Sequence, residues 1–329
     1  APSGAGASAD GRRPQPTSDA TPGTSPAPSA STVRRRIPVT ADMLLSRSAP
    51  GPPSSRPRLR DGDECGAPGV TRRTAASQDG SVTSTTPAPR PGSVALITGG
   101  TGGFGRALAT KLKALDVTVV LADLDSERNR QVAGELGCPF VVLDVADRAA
   151  NAAVVAQVEA DHGRLDAAFL NAGIAGRSRQ ALDVDEFLRV VDIDLFGVVY
   201  GTEAALPALR RAGGGSIVVT ASLAGLAPLA TDPGYSVAKG GAITFVRSMA
   251  ARVVDEGITM TAICPGFADT AIIDGIRQTF LDNNFPILSA EEVADAMIAA
   301  WTSGEPGAAY IVQPGIGAVP YKFKGVPAA

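Results

Sequence analysis

The chain has 329 residues, a formal net charge of −3 and a mean hydropathy of +0.11, which are not the values of a basic nucleic-acid-binding protein. Its three cysteines supply no disulfide framework, and its single histidine excludes a metal site built from several histidines. Because no stretch approaches the roughly 20 apolar residues of a membrane span, we expect no membrane span. We also expect a cytoplasmic protein with no nucleic-acid partner and no bound metal.

Residues 1–92 differ in composition from the rest of the chain. They are rich in Pro, Ser, Ala, Thr, Gly and Arg, and they hold 12 Arg and no Lys against 7 acidic residues. Such a segment cannot bury enough apolar surface to offset the entropy of ordering it, so a disordered arm is predicted. An inert tail is the simplest interpretation. A nucleic-acid-binding arm or an organelle transit peptide is the alternative, supported only by the basic cluster Arg34 to Arg36.

Residues 93–329 alternate short apolar runs with stretches of helical spacing. Strands are predicted to begin near residues 93, 117, 140, 166, 216, 258 and 308, with helices at about 104–115, 126–136, 149–161, 184–206, 235–255 and 290–301. This alternation predicts an α/β fold of the Rossmann type. We expect one doubly wound domain of about seven parallel strands with helices on both faces.

A glycine-rich turn, TGGTGGFG at Thr98–Gly105, lies between the first predicted strand and the first predicted helix. Glycines at this place let the backbone approach a pyrophosphate, which rests on the amino terminus of the helix. Asp123 ends the second strand, where a carboxylate can accept hydrogen bonds from an adenosine ribose. The turn and the carboxylate together predict a dinucleotide cofactor.

The charge of Asp123 favours NAD over NADP. At about 5 Å, this carboxylate would repel a 2′-phosphate by roughly 1 to 7 kcal/mol as the effective dielectric constant runs from about 80 to about 20. Neither Thr101 nor Leu124 offers a cation to offset the repulsion, whereas Arg106 and Arg128 are close enough in sequence to leave NADP open. NAD is therefore the predicted cofactor and NADP the alternative.

Tyr235 and Lys239 lie four residues apart in a predicted helix and therefore share one of its faces. Ser222 follows a predicted buried strand, at the edge of the sheet where ligands bind. A lysine cation about 4 Å from the phenol would stabilise the phenolate by roughly 4 kcal/mol and lower its pKa by about 3. The three side chains could then converge on one substrate oxygen, with the phenol as general acid/base. The spacing of Tyr235 and Lys239 by itself is also compatible with a tyrosine and a lysine one turn apart on the surface of a helix.

In chain order these motifs resemble the single-domain form of the short-chain dehydrogenase/reductase family, over about residues 93–318. The turn matches the T-G-x-x-x-G-x-G of that family, and Ser222 precedes Tyr235 by 13 residues, as the family's catalytic serine usually does. Through Gly102 the turn also fits the extended, epimerase-like branch, but only 90 residues follow Lys239, too few for that branch's extra domain. Further matches are Asp144–Val145, Asn171–Gly173, and Pro265–Gly266 followed by Thr270.

The resemblance implies hydride transfer to or from a nicotinamide ring. It implies that Tyr235 is the general acid/base, that Ser222 orients the substrate oxygen, and that Lys239 binds the nicotinamide ribose and lowers the pKa of Tyr235. The implied cofactor site consists of Thr98, Gly99, Thr101, Gly103, Phe104, Gly105, Asp123, Leu124, Asp144, Val145, Asn171, Ala172, Gly173, Tyr235, Lys239, Pro265, Gly266, Phe267 and Thr270.

Asp194 departs from the family pattern, because it stands where members usually carry an Asn that anchors a proton-relay water near the lysine. If the backbone carbonyl does the anchoring, Asp194 is tolerated. If its side chain is ionised, it would pair with Lys239 and raise the pKa of Tyr235 again. Asp194 is therefore counted with the catalytic residues, and we expect activity with an altered pH profile.

Apolar residues near the predicted strand ends indicate a hydrophobic secondary alcohol or ketone as the substrate, although such residues could also simply fill the core. They are Ile174, Leu223, Leu226, Leu229, Phe267 and a predicted mobile lid at Ile272–Ile287.

Two other functions stay open at this point. An NADPH-dependent ketoreductase has a similar turn but usually carries Asn where Lys239 stands. A catalytically silent dinucleotide sensor or scaffold is disfavoured by the intact Ser222, Tyr235 and Lys239. By resemblance, a homodimer or homotetramer is expected, paired through the helices after the fourth and fifth strands.

Overall fold

The computed structural model describes residues 89–176, 182–270 and 277–325. Residues 1–88 of the predicted disordered arm and residues 272–276 of the predicted lid lie outside the described residues.

The described residues form one eight-stranded sheet in the order β3-β2-β1-β4-β5-β6-β7-β8. Seven of its strands run parallel, and β8 pairs antiparallel with β7 at the edge. The predicted doubly wound α/β sheet of about seven parallel strands is confirmed. The strands are β1 (Val94–Thr98), β2 (Thr118–Asp123), β3 (Phe140–Val142), β4 (Ala167–Leu170), β5 (Gly215–Thr220), β6 (Ile258–Pro265), β7 (Ala309–Gln313) and β8 (Gly317–Pro320).

Helices cover both faces of the sheet. Side chains of α3, α5 and α6 form one apolar layer and those of α1, α2 and α8 the other, so every residue of β1, β5 and β6 is buried. Among the helices of the described segments, none combines the length and apolarity needed to cross a bilayer. The helices are α1 (Gly103–Lys113), α2 (Glu127–Leu136), α3 (Arg148–His162), α4 (Val184–Val191), α5 (Gly197–Arg211), α6 (Pro233–Val253), α7 (Arg277–Asp282) and α8 (Ala290–Ser303).

The strand order reverses between β1 and β4, which are neighbours in the sheet. At such a switch point the connections leave on opposite faces and open a crevice at the carboxyl ends of the strands, where open α/β sheets bind ligands. The glycine-rich turn follows β1 and Asn171 follows β4, so both lie at this crevice.

Two local features differ from the predicted elements. The helix predicted over residues 184–206 is interrupted by a π-helical turn at Asp192–Phe196, a rare geometry that is frequent at functional sites. In addition, β8 was not among the predicted strands, because it is only four residues long and exposed throughout. Gly315 and Gly317, with φ of +73° and +72°, make the tight turn that returns the chain beside β7.

Candidate active site

The glycine-rich turn is packed so closely that larger residues would not fit. Gly99 has φ of +61°, and a Cβ atom there would lie 2.9 Å from the Cα of Ala172. A Cβ at Gly105 would lie 2.6 Å from the backbone of Gly100. The first turn of α1 begins at Gly102 with no side-chain cap, which leaves its backbone N–H groups available to an anion.

A hydrogen-bond network joins the ends of β1, β4 and β5. The Thr98 hydroxyl accepts hydrogen bonds from the backbone N–H groups of Asn171 and Ala172, at 2.9 and 3.1 Å. The Asn171 side chain donates to the carbonyl of Thr98 at 3.1 Å and accepts from the Thr220 hydroxyl at 3.0 Å. These bonds fix the floor of the crevice at three neighbouring strands.

Asp123 faces the glycine-rich turn from the end of β2. Its Oδ2 atom accepts hydrogen bonds from the Thr101 backbone N–H at 3.1 Å and from the Thr101 hydroxyl at 2.6 Å. Its Oδ1 atom accepts from the Leu124 N–H at 2.9 Å. The carboxylate therefore holds the turn in shape and lies where the ribose contact was predicted, beside the exposed Leu124.

The two predicted adenine-contacting residues after β3 lie in different environments. Asp144 is exposed, and its carboxylate accepts a hydrogen bond from the Ala146 N–H at 3.0 Å. The Val145 side chain is buried against Gly197, where a Cβ atom would lie 2.9 Å from Val145 Cγ2.

The structure brings Tyr235, Lys239 and Ser222 together. Tyr235 and Lys239 lie in the first two turns of α6, and the Lys239 ammonium is 5.6 Å from the centre of the Tyr235 ring. Ser222 caps a short 3₁₀ turn after β5, where its hydroxyl accepts from the Ala224 N–H at 3.1 Å. The Ser222 hydroxyl is also hydrogen-bonded to the phenol of Tyr235. That these groups converge on one substrate oxygen stays a prediction.

Asp194 is fully buried in the π-helical turn and touches the lysine directly. Its Oδ2 atom is 3.0 Å from Lys239 Nζ, and its Oδ1 atom accepts a hydrogen bond from the Ile174 N–H at 2.8 Å. Lys239 Nζ also donates to the carbonyl of Thr220 at 2.9 Å. Gly173 makes room for this ion pair, since a Cβ there would lie 2.8 Å from Asp194 Oδ2.

The pKa of Tyr235 is raised above its ordinary value, opposite to the direction predicted from Lys239 alone. Burial of the phenol is the largest cause, and the Lys239 cation opposes it. The negative charge of Asp194 raises the pKa of Tyr235 further, while the hydrogen bond with Ser222 lowers it. Burial also raises the pKa of Asp194, against the opposing effect of Lys239. The predicted drop is therefore wrong for these protein groups alone, because burial and a paired lysine cancel it.

The segment after β6 approaches the glycine-rich turn from the other side. Gly266 donates its N–H to the carbonyl of Val312 at 3.0 Å, and the Thr270 methyl carbon would lie 3.2 Å from a Cβ at Gly103. Phe267 packs against Phe280 and Phe285 at ring-centre distances of 4.7 and 5.6 Å. This aromatic cluster anchors the described part of the predicted lid beside the crevice. Half-buried apolar side chains also occur at Ile174, Leu223, Leu226 and Leu229.

Residues 93–280 match the family model described as short chain dehydrogenase. The chain belongs to this family. Levodione reductase of Leifsonia aquatica is 35% identical to it over 208 residues, which cover 60% of this chain and 78% of the relative. Cyclohexanol dehydrogenase of Acinetobacter sp. (strain SE19) is 34% identical over 206 residues, covering 59% and 80%. Among solved structures, a 3-ketoacyl-(acyl-carrier-protein) reductase from Brucella melitensis complexed with NADH has a TM-score of 0.63 and 26% identity, covering 68% of this chain and 98% of that one.

This short chain dehydrogenase is an oxidoreductase that uses a nicotinamide dinucleotide, and its crevice fits such a cofactor. Gly99 and Gly105 leave no room for a Cβ atom, so the turn stays tight against the sheet, and the uncapped N–H groups of α1 direct the positive end of the helix at the crevice. Within the described segments, no group of three or more His, Cys, Asp or Glu side chains could hold a metal ion.

Two further residues of the dehydrogenase lie near Tyr235 and Lys239 and were not among the predicted site residues. Asp232 caps α6 and contacts the loop after β4; the Asp-Pro pair before Tyr235 is the sequence signal of such a cap. Cys264 on β6 lies near Ser222 and Lys239, and burial raises the pKa of its thiol to about 12. Such a thiol stays neutral, and it fills the core without acting as a nucleophile because the thiolate is the nucleophilic form.

Proposed function

We propose that this dehydrogenase interconverts a hydrophobic secondary alcohol and a ketone with NAD, using Tyr235 as the general acid/base. The observation that carries the proposal is the meeting of the Tyr235 phenol, the Ser222 hydroxyl and the Lys239 ammonium at one end of α6. The two named relatives, a reductase and an alcohol dehydrogenase, support the reaction class. The name of the second points to a cyclic alcohol as the first substrate to try.

In the oxidative direction, the Ser222 hydroxyl holds the substrate oxygen by a hydrogen bond. The phenolate oxygen of Tyr235 takes up the proton of the alcohol. A bound nicotinamide supplies the hydride acceptor and, when oxidised, a positive charge. Lys239 stabilises the phenolate and is itself held by the Thr220 carbonyl and Asp194. In the reductive direction the same phenol returns the proton to the carbonyl oxygen, so one group serves both directions.

The residues that would hold the cofactor follow the crevice from one side to the other. The turn Gly99–Gly105 would hold the pyrophosphate, and Lys239 the nicotinamide ribose. The other contacts are assigned to Asp123 for the adenosine ribose, Asp144–Val145 for the adenine, Asn171–Gly173 for the floor, and Pro265–Thr270 for the carboxamide.

A panel of secondary alcohols with NAD, measured by the appearance of NADH, tests the proposed function. The panel should contain cyclohexanol, a linear secondary alcohol, a bulky polycyclic alcohol and a primary alcohol as a control. We expect turnover of at least one hydrophobic secondary alcohol and none of the primary one. Dinucleotide binding without turnover of any compound, in either direction, would instead favour the silent sensor or scaffold.

The Asp123→Asn variant is expected to relax the preference for NAD. Asn can still accept a hydrogen bond from Thr101, so the turn keeps its shape while the charge that repels a 2′-phosphate is lost. Taking the low end of that repulsion, about 1 kcal/mol, the ratio of kcat/KM for NAD to that for NADP should fall at least about fivefold.

Asp125→Asn is the matched control for this variant, because Asp125 is exposed and pairs with Arg130 on the surface. Its cofactor preference should stay at the wild-type value. If both variants keep the wild-type ratio, or if the wild type already prefers NADP, then the assignment of Asp123 and the preference for NAD are wrong.

The Asp194→Asn variant is expected to shift the acid side of the pH–rate profile for alcohol oxidation to lower pH. The charge of Asp194 raises the pKa of Tyr235, so its removal lets the phenol lose its proton at lower pH. Asn keeps an acceptor for the Ile174 N–H, which preserves the local packing. Asp192→Asn, an exposed position in the same π-helical turn, is the control and should leave the profile in place. Superimposable profiles for all three proteins would contradict the role given to Asp194.

We further propose that two copies pair through the outer surface of α4, the π-helical turn and α6. Large apolar side chains are exposed there, namely Leu188, Phe196 and Val237, and Phe196 stacks on Tyr200 at 5.9 Å. Solvent-exposed apolar side chains concentrated on neighbouring helices are typical of protein interfaces. Light scattering should give the mass of a dimer or tetramer, and Phe196→Glu should lower it; a wild-type monomer would exclude the pairing.

A further inference from the structure

The loop after β4 is held between two carboxylates. Within three residues of this loop, the Ile174 N–H donates to Asp194 at 2.8 Å and the Gly176 N–H donates to Asp232 at 2.7 Å. Asp194 also touches Lys239, one of the reactive groups. The second carboxylate has no such role in the proposed function, although its position is comparable.

The carboxylate of Asp232 contacts two separate segments, the first turn of α6 at Tyr235 and the loop after β4. One oxygen, Oδ1, accepts a hydrogen bond from the backbone N–H of Tyr235 at 3.0 Å, and the other, Oδ2, holds Gly176. The contact with Gly176 joins residues that are 56 positions apart in the chain, whereas the contact with Tyr235 joins residues that are three positions apart. Pro233 follows at the first position of α6, where its fixed φ stiffens the start of the helix.

Gly176 is fitted to this carboxylate. A Cβ atom at residue 176 would lie 2.9 Å from Asp232 Oδ1 and 3.0 Å from Oδ2, closer than nonbonded atoms tolerate. Because one carboxylate accepts hydrogen bonds from both backbones, a shift of the loop relative to the first turn of α6 would break at least one of these bonds. A side chain at residue 176 would push the carboxylate away from one partner or both.

We infer that Asp232 is a positioning residue that fixes the phenol of Tyr235 against the loop 174–176, which forms one side of the reaction site. The inference rests on the proposed function for its effect on rate, but the placement of Tyr235 can be measured without turnover. A displacement of about 1 Å at a reacting group lowers the rate on the order of 100-fold, so a contact of this kind acts on kcat.

The simplest competing interpretation is an ordinary helix cap, which would stabilise α6 and do nothing else. Two observations favour more than a cap. The same carboxylate bridges to a distant loop, and its charge acts on Tyr235, whose pKa is raised by burial first and by Asp194 and Asp232 as well. Charged or titratable groups on every side share this field: Lys239 on α6, Asp194 on the π-helical turn, Cys264 on β6, and Asp183 and Glu186 at the start of α4.

Three variants of the full chain separate positioning from capping. Asp232→Ala removes both contacts and should lower kcat at saturating NAD about 10- to 100-fold, with KM for NAD changed less than about twofold. Asp232→Asn keeps one acceptor oxygen and removes the charge, so kcat should fall less and the acid side of the pH–rate profile should move to lower pH. Gly176→Ala keeps Asp232 and crowds it, so kcat should fall without a charge change.

Asp147→Ala is the matched control, since Asp147 caps α3 by accepting from the Ala149 and Ala150 N–H groups at 2.8 and 3.0 Å. It should lower the Tm about as much as Asp232→Ala while kcat stays within about twofold of the wild type. If Asp232→Ala folds and behaves in the same way as this control, Asp232 is only a cap. If Asp232→Ala does not fold, Gly176→Ala decides: a wild-type kcat in that variant overturns the inference.

A titration by NMR on protein with isotope-labelled tyrosine distinguishes failure of this inference from failure of the proposed function. The chain has four tyrosines, and the Tyr235→Phe variant identifies the signal of Tyr235. Asp232→Asn should lower the pKa read from that signal even if no alcohol is ever turned over. An unchanged signal and pKa in Asp232→Asn would overturn the inference, whereas a shifted pKa without turnover would count only against the proposed function.

Discussion

Tyr235→Phe is expected to lower kcat about 1,000-fold on any alcohol that the wild type oxidises. The substitution keeps the ring and its packing but removes the oxygen that, in the proposed function, exchanges the proton with the substrate, and general acid/base groups contribute about 100- to 10,000-fold. The phenolic oxygen also hydrogen-bonds to Ser222, so the serine loses its partner as well. Affinity for NAD, measured by calorimetry, should stay within about threefold, because the glycine-rich turn and Lys239 are intact.

Tyr310→Phe supplies the matched control for this substitution. Tyr310 lies on β7 and its hydroxyl accepts a hydrogen bond from the Glu305 N–H at 2.8 Å, so the variant loses a phenolic contact of another kind. It should lose about 1 kcal/mol of stability and keep wild-type kcat. If Tyr235→Phe retained a tenth or more of the wild-type rate, the phenol would not be the proton-transfer group. Equal, very low rates in the wild type and both variants would favour the silent scaffold.

The placement of the candidate site residues could largely be predicted because their motifs follow directly on buried strands. In a parallel sheet the carboxyl ends of strands meet at one edge, so Thr98, Asn171 and Ser222 had to lie near one another once β1, β4 and β5 were recognised. The helical spacing of Tyr235 and Lys239 then fixed their common face. Nothing in this reasoning required a long-range distance.

Other features of the site depend on contacts that local patterns do not report. The hydrogen bond between Gly176 and Asp232 joins residues far apart in sequence, and a glycine in a loop gives no sign of the carboxylate against which it packs. The π-helical turn that carries Asp194 also has no periodic signal, since it interrupts an otherwise regular amphipathic helix. Tertiary packing alone decides both.

The pKa of Tyr235 illustrates how a correct pairing can still give the wrong direction. Lys239 does lie beside the phenol, as predicted, and its charge does lower the pKa of Tyr235. The predicted drop counted only the charge of the lysine, whereas the alternative in which an ionised Asp194 pairs with Lys239 predicted the opposite effect on the pKa of Tyr235. In the structure Lys239 is buried and paired with Asp194, so burial of the phenol dominates. The positive charge of an oxidised nicotinamide would also lower the pKa of Tyr235 and so add to the effect of Lys239.

The second large effect is expected in stability, from Lys239→Met. Methionine matches the lysine stem in length but leaves the Asp194 carboxylate buried without its cation, and breaking a buried ion pair costs about 3 to 5 kcal/mol. Burial already raises the pKa of Asp194 above its ordinary value, and the loss of Lys239 removes the effect that opposes this rise. A group with a raised pKa in the folded state favours folding below its unfolded pKa, and this contribution is lost as the pH rises. The variant should therefore lose more stability at about pH 8 than at about pH 5, as measured by urea unfolding.

The double variant Lys239→Met/Asp194→Asn tests whether the unpaired charge is the cause. Asn removes the charge and still accepts from the Ile174 N–H, so the double variant should recover most of the lost free energy of unfolding and lose its dependence on pH. Lys111→Met, which breaks the exposed pair with Asp295, should cost less than about 1 kcal/mol. If Lys239→Met costs no more than this surface control at about pH 8, Asp194 is already protonated in the wild type. In that case the neutral Asp194 carboxyl accepts a hydrogen bond from the Lys239 ammonium in place of an ion pair, and Asp194→Asn should leave the pH–rate profile unchanged.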